Sequence, residues 1–366
     1  MEICIIGLPQ SGKTSIFNAL TKFTAETKPH ALGSLSINMA IARVPDERLN
    51  QLAGMLHSKK AVPAEVKYVD IAGLSKGFGK EQGVSGQLLN YLSTSDAILQ
   101  VIRVFEDDNV AHVEGNINLL RDIEMLDMEL VFSDLGIIEK RLHRLEAAAK
   151  MPKSSERDLA IKEQELLHKI KQQLDKGIPI RLQQLTSEDM HSLSNYQFLT
   201  AKPILAVINI GEKQLAEAGA LLDKLKISYS QPQVEVITMC GKLEMELAQL
   251  SDQEAEEFRK DIGLQETAFA AVIRHSYALL GLISFFTYNA EEVKAWTIQR
   301  ESTALKAAGK IHTDMERGFI RAEVIHFHDF IRYGSMAEAR KHGALRVEGK
   351  TYLVQDGDII HFLFNV

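Results

Sequence analysis

The residues Gly7-Leu8-Pro9-Gln10-Ser11-Gly12-Lys13-Thr14 fit the pattern G-x-x-x-x-G-K-[ST], whose chemistry is the gripping of a polyphosphate. The glycines let successive backbone N–H groups turn inward around phosphate oxygens, at the positive end of a following helix. Lys13 brings a cation to the β- and γ-phosphates, and the Thr14 hydroxyl is a magnesium ligand. A second group, Asp70-Ile71-Ala72-Gly73, closes the run EVKYVDI. In switch nucleotidases an aspartate at a strand end holds magnesium through water, while the glycine N–H senses the γ-phosphate. Lys13, Asp70 and Gly73 are therefore the expected catalytic set. A third group, Asn209-Ile210-Gly211-Glu212, follows ILAVIN. Guanine-specific switches usually carry N-K-x-D here, with the aspartate accepting from guanine N1–H and N2–H₂. Ile210 and the longer Glu212 do not match that geometry, so strict specificity for GTP is not expected.

These groups need a scaffold that brings separate strand ends together. EICII at 2–6 precedes the first loop, and a helix is expected from Ser15 onward. Further apolar runs lie at 65–71, 97–104, 204–209 and 234–239. Rich in Val and Ile and separated by helical stretches, they predict a mostly parallel sheet covered on both faces, the α/β P-loop nucleotidase fold. The glycines 73, 77, 79, 83 and 86 make the segment after Asp70 a mobile switch that orders around a γ-phosphate.

Residues 122–199 break the rhythm with good helix formers such as IIEKRLHRLEAAAK and LAIKEQELLHKIKQQLDKG. A turn at Pro152–Ser155 joins them, which predicts an inserted helical, coiled-coil-like hairpin. Residues 139–181 hold 11 Lys and Arg against seven Asp and Glu. That local excess either forms a solvated face or steers toward RNA. After about residue 280, short strand candidates (FFTYN, VKAWTIQ, GFIRAEVI, ALRVEG, KTYLVQ, DIIHFLFNV) surround a helix near 303–311, an α+β module. The expected domains are 1–121 with 200–279, 122–199, and 280–366.

Three hundred and sixty-six residues exceed one comfortable core. A net charge of −7 argues against wrapping nucleic acid with the whole surface, and no DNA specificity is expected. Two distant cysteines without metal-ligand spacing fit a reducing compartment. The first ten residues lack the features of a signal peptide, and no apolar stretch approaches a membrane span. A cytoplasmic monomer without membrane contact is the expectation.

With VPDERL at 44–49, VDIAGLSKG at 69–77, KAWTIQ at 294–299, KAAGKIHTDMERGFIRAEVI at 306–325 and VQDGDIIHFLFNV at 354–366, the chain resembles the YchF family of Obg-related ATPases. The resemblance runs nearly the full length. It implies a C-terminal TGS domain of β-grasp fold, the inserted hairpin, preference for ATP over GTP, and association with the ribosome or its RNA. The family's site maps onto Gly7–Ser15, Asp70–Gly73, Asn209–Glu212 and the loop Met239–Leu243, which includes Cys240 and Gly241. Ser34 stands where a switch threonine helps hold magnesium. Family loops usually read N-V-G-K-S. Gln10 replaces the asparagine that helps hold a monovalent cation, which opens the question of potassium dependence.

His312 is read as a helix-end hydrogen bonder rather than a partner contact, and Cys240 as a small residue packed near the base. His326 and His328 are spaced like one face of a strand, with no third metal ligand in view. A kinase acting on a small metabolite, a strictly GTP-specific switch and an inactive scaffold are the rival readings. Asp70–Gly73 together with Asn209–Glu212 favours the ATPase switch.

Overall fold

The computed structural model describes all residues except 22–27, 33–34, 72–85, 150–153, 230, 265, 290 and 366. The expected switch residues Ser34 and Gly73 lie outside the described residues.

In chain order, β1 (Glu2–Gly7) leads through the phosphate-loop motif to α1 (Lys13–Thr21); β2 (Lys28–Leu32) and β3 (Leu35–Arg43) follow as an antiparallel pair. Then come α2 (Glu47–Met55), β4 (Lys60–Val62), β5 (Glu65–Ile71), α3 (Gly86–Thr94) and β6 (Ala97–Arg103). Two long helices, α4 (Leu119–Ala149) and α5 (Ser155–Leu174), precede the short α6 (Ser187–Leu193). The chain returns through β7 (Ile204–Asn209), α7 (Ala218–Ser228), β8 (Val234–Met239), α8 (Gly241–Leu247), α9 (Asp252–Asp261) and α10 (Ala268–Leu279). It ends in β9 (Leu282–Tyr288), β10 (Glu292–Gln299), α11 (Ala304–Ile311), α12 (Thr313–Arg317), β11 (Phe319–His326), α13 (Phe327–Tyr333), α14 (Met336–Lys341), β12 (Arg346–Glu348) and β13 (Asp358–Phe364).

Two compact units emerge. One comprises residues 2–41 and 67–272 and holds a seven-stranded sheet of order β2-β3-β5-β1-β6-β7-β8. The contiguous strands β5, β1, β6, β7 and β8 pair in parallel. Every residue of β6 and of β7 is buried, as expected of strands covered on both faces. Its core joins Cys4, Ile6, Val69, Ile98, Ile208 and Ile210 with Leu126 and Leu130 of α4.

The two long helices form an antiparallel pair over a separate cluster of Val131, Ile138, Leu142, Leu167, Ile170 and Leu174. Their root is polar and buried. The carboxylate of Asp134 on α4 accepts from Leu199 N–H at 2.9 Å, Thr200 N–H at 2.8 Å and the Thr200 hydroxyl at 2.7 Å. Asp127, two turns earlier, accepts from Gln100 of β6 at 3.0 Å and from the Tyr229 hydroxyl at 2.9 Å.

The second unit comprises residues 42–66 and 273–366, with a six-stranded sheet of order β12-β11-β13-β9-β10-β4. Residues 42–66, placed with the nucleotide domain by sequence, thus cluster with the C-terminal residues. One face of the sheet packs Phe285, Val324 and Phe362 against Ala304, Ala307 and Ala308 of α11. KTYLVQ does not form the expected strand: only an isolated bridge, Thr303 to Leu353, remains there. The Tyr352 hydroxyl instead donates to buried Asp358 at 2.8 Å. His326 and His328 do not share a strand face either. His326 caps α13, accepting from His328 N–H at 3.3 Å, which turns the chain from strand to helix between them. His312 likewise caps α12 through Asp314 N–H.

Candidate functional site

The parallel register sets Gly7 beside Val101, Ile5 beside Asp70, Arg103 beside Asn209, and Asn209 beside Met239. The three sequence groups therefore meet at the carboxyl ends of β1, β5, β7 and β8, where ligands bind in open α/β sheets.

The phosphate-loop motif bends tightly. Gly12 adopts φ +87°, and a Cβ there would run into the Asn209 side-chain amide. Gly7 is equally constrained: an added Cβ would approach Val101 O to 2.6 Å and Ser11 Oγ to 2.7 Å. Gln10 occupies the left-handed region at φ 62°, where a residue with a Cβ carries strain. Ser11 is buried, whereas Thr14 is exposed at the start of α1. Lys13 is only 7% exposed and donates from Nζ to Gly7 O at 3.1 Å and Leu8 O at 3.2 Å. Burial lowers its pKa, opposed by the charge of Asp70.

Asp70 is 4% exposed, and burial raises its pKa against the pull of Asn38 and Lys13. Asn38 Nδ2 reaches Asp70 Oδ2 at 3.4 Å, but Oδ1 is buried without a partner among the described residues.

Asn209 ties the loops together. Its Nδ2 donates to Ser11 O at 3.0 Å, and its Oδ1 accepts from Gly241 N–H at 3.0 Å. One buried amide thereby fixes the phosphate loop against the loop after β8. Gly241 packs closely here: a Cβ would meet Ile16 Cδ1 at 2.9 Å and Asn209 Oδ1 at 3.3 Å. The side chain of Ile210 belongs to the hydrophobic core at 3% exposure, and its N–H donates to Met239 O at 2.9 Å. Glu212 is exposed and pairs with Lys242 at 2.8 Å. Cys240 is buried, its thiol pKa raised chiefly by that burial.

Residues 2–134 match the family model described as a 50S ribosome-binding GTPase, and residues 282–365 match the YchF GTPase C-terminal model, a protein of unknown function (DUF933). The chain is 40% identical over 364 residues to the ribosome-binding ATPase YchF of Bacillus subtilis (strain 168), covering 99% of this chain and 98% of the relative. The relative of the same name in Escherichia coli O157:H7 is 40% identical over 363 residues, with equal coverage. The chain belongs to the YchF family. The solved structure of Schizosaccharomyces pombe YchF GTPase matches with a TM-score of 0.83 at 30% identity, over 99% of this chain and 97% of that one. The YchF match thus extends over both compact units.

The residues present fit magnesium. Asp70 Oδ1 is a buried carboxylate oxygen without a partner among the described residues, and the Thr14 hydroxyl is exposed. No cluster of three or more His, Cys, Asp or Glu that could hold a metal occurs among the described residues. Magnesium itself keeps several waters and takes further ligands from phosphate, so it asks for few protein oxygens.

Four YchF-site neighbours escaped the sequence reading. Phe105 lies between two loops: its ring is 3.6 Å from a Cβ built on Gly12, and its Cβ is 3.5 Å from one built on Gly211. Arg103 stacks 4.5 Å from that ring's centroid and donates to Phe105 O, Val110 O and Ala111 O, which shapes the segment after β6. Gln214 accepts from Gly211 N–H at 2.7 Å. Lys242 holds Glu212. The available signal was position: RVFEDDN follows a parallel strand at its carboxyl end, where such sheets place their ligands.

Proposed function

We propose that this chain is a magnesium-dependent ATPase switch of the cytoplasm, acting as a monomer, whose nucleotide state is coupled to binding of the ribosome or its RNA. The observation that carries this is the Asn209 tie, which joins the phosphate loop to the base-side loop through a motif lacking the guanine-reading Lys and Asp. The names of the B. subtilis and E. coli relatives support the ATP and ribosome assignments. No described helix is long and apolar enough to cross a membrane.

Backbone N–H groups of the phosphate loop and Lys13 Nζ bind the β- and γ-phosphates, Nζ giving up the Gly7 and Leu8 carbonyls to do so. Thr14, Asp70 and Ser34 would hold magnesium, which would supply neutralisation of phosphate charge. Gly73 N–H senses the γ-phosphate. Asn209, Gly241, Glu212 and the Ile210 backbone frame the adenine. With Gln10 in place of asparagine, hydrolysis should be insensitive to potassium.

The C-terminal mixed sheet with α11 packed on one face supports a β-grasp, TGS-like module. The hairpin exposes Lys140, Arg144, Lys162 and Lys169, and it and the C-terminal module are each assigned an RNA contact of their own.

Two results are expected. Calorimetric titration with magnesium should show ATP binding more tightly than GTP, and Glu212→Asp should narrow the gap. Ile210→Lys, the other step toward a guanine motif, would bury a charge in the core and should unfold the site instead. A wild type preferring GTP tenfold sinks this reading. In addition, Leu74 occupies the place where many switches carry a water-orienting glutamine. Single-turnover hydrolysis should be slow alone and faster with ribosomes, and the stimulation should fade at high salt. Fast turnover with no ribosome effect contradicts it.

A further inference from the structure

Residues 42–66 leave the parallel sheet from β3 and re-enter it through β5. These strands are neighbours in that sheet, joined by the Asn38–Asp70 contact. The excursion between them is built into the C-terminal unit. Its neck is closed by Val44 N–H donating to Ala64 O at 2.8 Å. Its outer strand, β4, pairs in parallel with β10, Lys60 opposite Glu292 and Val62 opposite Lys294. Ser58 Oγ donates to Asn289 O at 3.2 Å, and Lys60 N–H to Glu291 O at 3.1 Å.

Arg48 on α2 fastens the excursion most firmly. Its Nε and Nη2 donate to both oxygens of Asp46, at 2.9 and 2.8 Å. Nη1 donates to Asp356 Oδ2 at 2.8 Å, and the guanidinium lies 5.3 Å from the Phe286 ring centroid. The other Asp356 oxygen accepts from Ser284 N–H of β9 at 2.9 Å. A planar fork that satisfies two carboxylates while stacking on a ring is a task lysine cannot perform. These contacts pin α2 to β9 and to the turn that precedes β13.

We infer that the excursion 42–66 couples the nucleotide site to the C-terminal unit, with Arg48 as its positioning residue. The inference rests on the proposed nucleotide site and names its regulation. Asp70 lies on β5, the strand by which the excursion returns. Ligation at its carboxylate therefore acts on a segment whose far side is hydrogen-bonded to β10. Linkage then requires the converse: whatever binds the C-terminal unit in one nucleotide state shifts nucleotide affinity by the same factor.

The test is hydrogen exchange of the full chain with and without magnesium and a non-hydrolysable ATP analogue, with analogue binding measured by calorimetry on the same samples. In the wild type, exchange of the amides at 60–62 and 292–294 should change severalfold when the analogue binds. Arg48→Ala should keep analogue affinity within about threefold and lose the response at 292–294; Arg48→Lys should not restore it. Asp356→Ala, which leaves the Arg48–Asp46 pair intact, serves as a second variant if Arg48→Ala does not fold. Bound analogue with unchanged exchange in the wild type overturns the inference, as does a full response in both variants. A wild type that binds no analogue overturns the proposed function, and the coupling with it.

Discussion

Replacing Lys13 by alanine is expected to weaken ATP binding by about a hundredfold or more while leaving the chain folded. In the free protein its ammonium is buried and donates to two carbonyls, Gly7 O and Leu8 O, among the described residues, and burial lowers its pKa. A triphosphate offers far stronger acceptors to a donor already stripped of water. Losing a charge-assisted bond in such a site costs about 3 kcal/mol, or roughly two decades in affinity. The free fold loses little, because the buried ammonium is itself costly there and alanine favours helix at the start of α1. The main penalty falls on Asp70, whose raised pKa should rise further without its cation. Calorimetric titration with magnesium, paired with a thermal melt, checks this. A folded variant with unchanged affinity for both ATP and GTP removes Lys13 from the site.

Asp134→Ala should cost about 2–3 kcal/mol of stability near neutral pH. The side chain is fully buried, and its loss leaves Leu199 N–H, Thr200 N–H and the Thr200 hydroxyl without the acceptor on which they converge. The effect depends on pH in a defined direction. Burial raises the Asp134 pKa from 3.8 to about 6, against the opposing hydrogen bonds and Lys202. Between those values the folded state binds the proton more tightly than the unfolded chain, so this group's stability contribution falls as pH rises and levels off above about pH 7. Urea unfolding of both proteins should show a larger gap at about pH 4.5 than at pH 7. An equal gap at both pH values contradicts the assignment of this titration to Asp134.

The parallel strands were legible because each is a buried apolar run with its own boundary signal: EICII, EVKYVDI, ILAVIN. The phosphate loop was legible because its chemistry demands fixed residue types at fixed spacing. What escaped depends on distant partners. β4 is three residues long and reads as nothing until β10 pairs with it. Asn209 was visible as a base-side residue, but its tie to Ser11 O joins positions 198 residues apart. Ile210 looked like a base contact by alignment to a motif position, whereas its side chain, just past the end of β7, packs into the hydrophobic core. KTYLVQ has strand composition, yet the buried carboxylate of Asp358 claims the Tyr352 hydroxyl. His326 and His328 are two apart, and capping, which local spacing cannot reveal, separated them.

The placement of residues 42–66 also has a consequence for biosynthesis. Lys59 meets Glu291 across 232 residues of chain, and β4 finds its hydrogen-bonding neighbour only when β10 exists. At about 5–20 residues per second, translation takes on the order of ten to fifty seconds to cover that interval. Once β8 has emerged the parallel sheet can assemble, but the sheet to which α2 and β4 belong is still unmade. The nascent nucleotide domain therefore carries an unpaired strand edge and the unpartnered apolar side of α2 until the last quarter of the chain appears. Destabilising β10 should for this reason depress the soluble yield of newly made protein more than it lowers the stability of protein already folded.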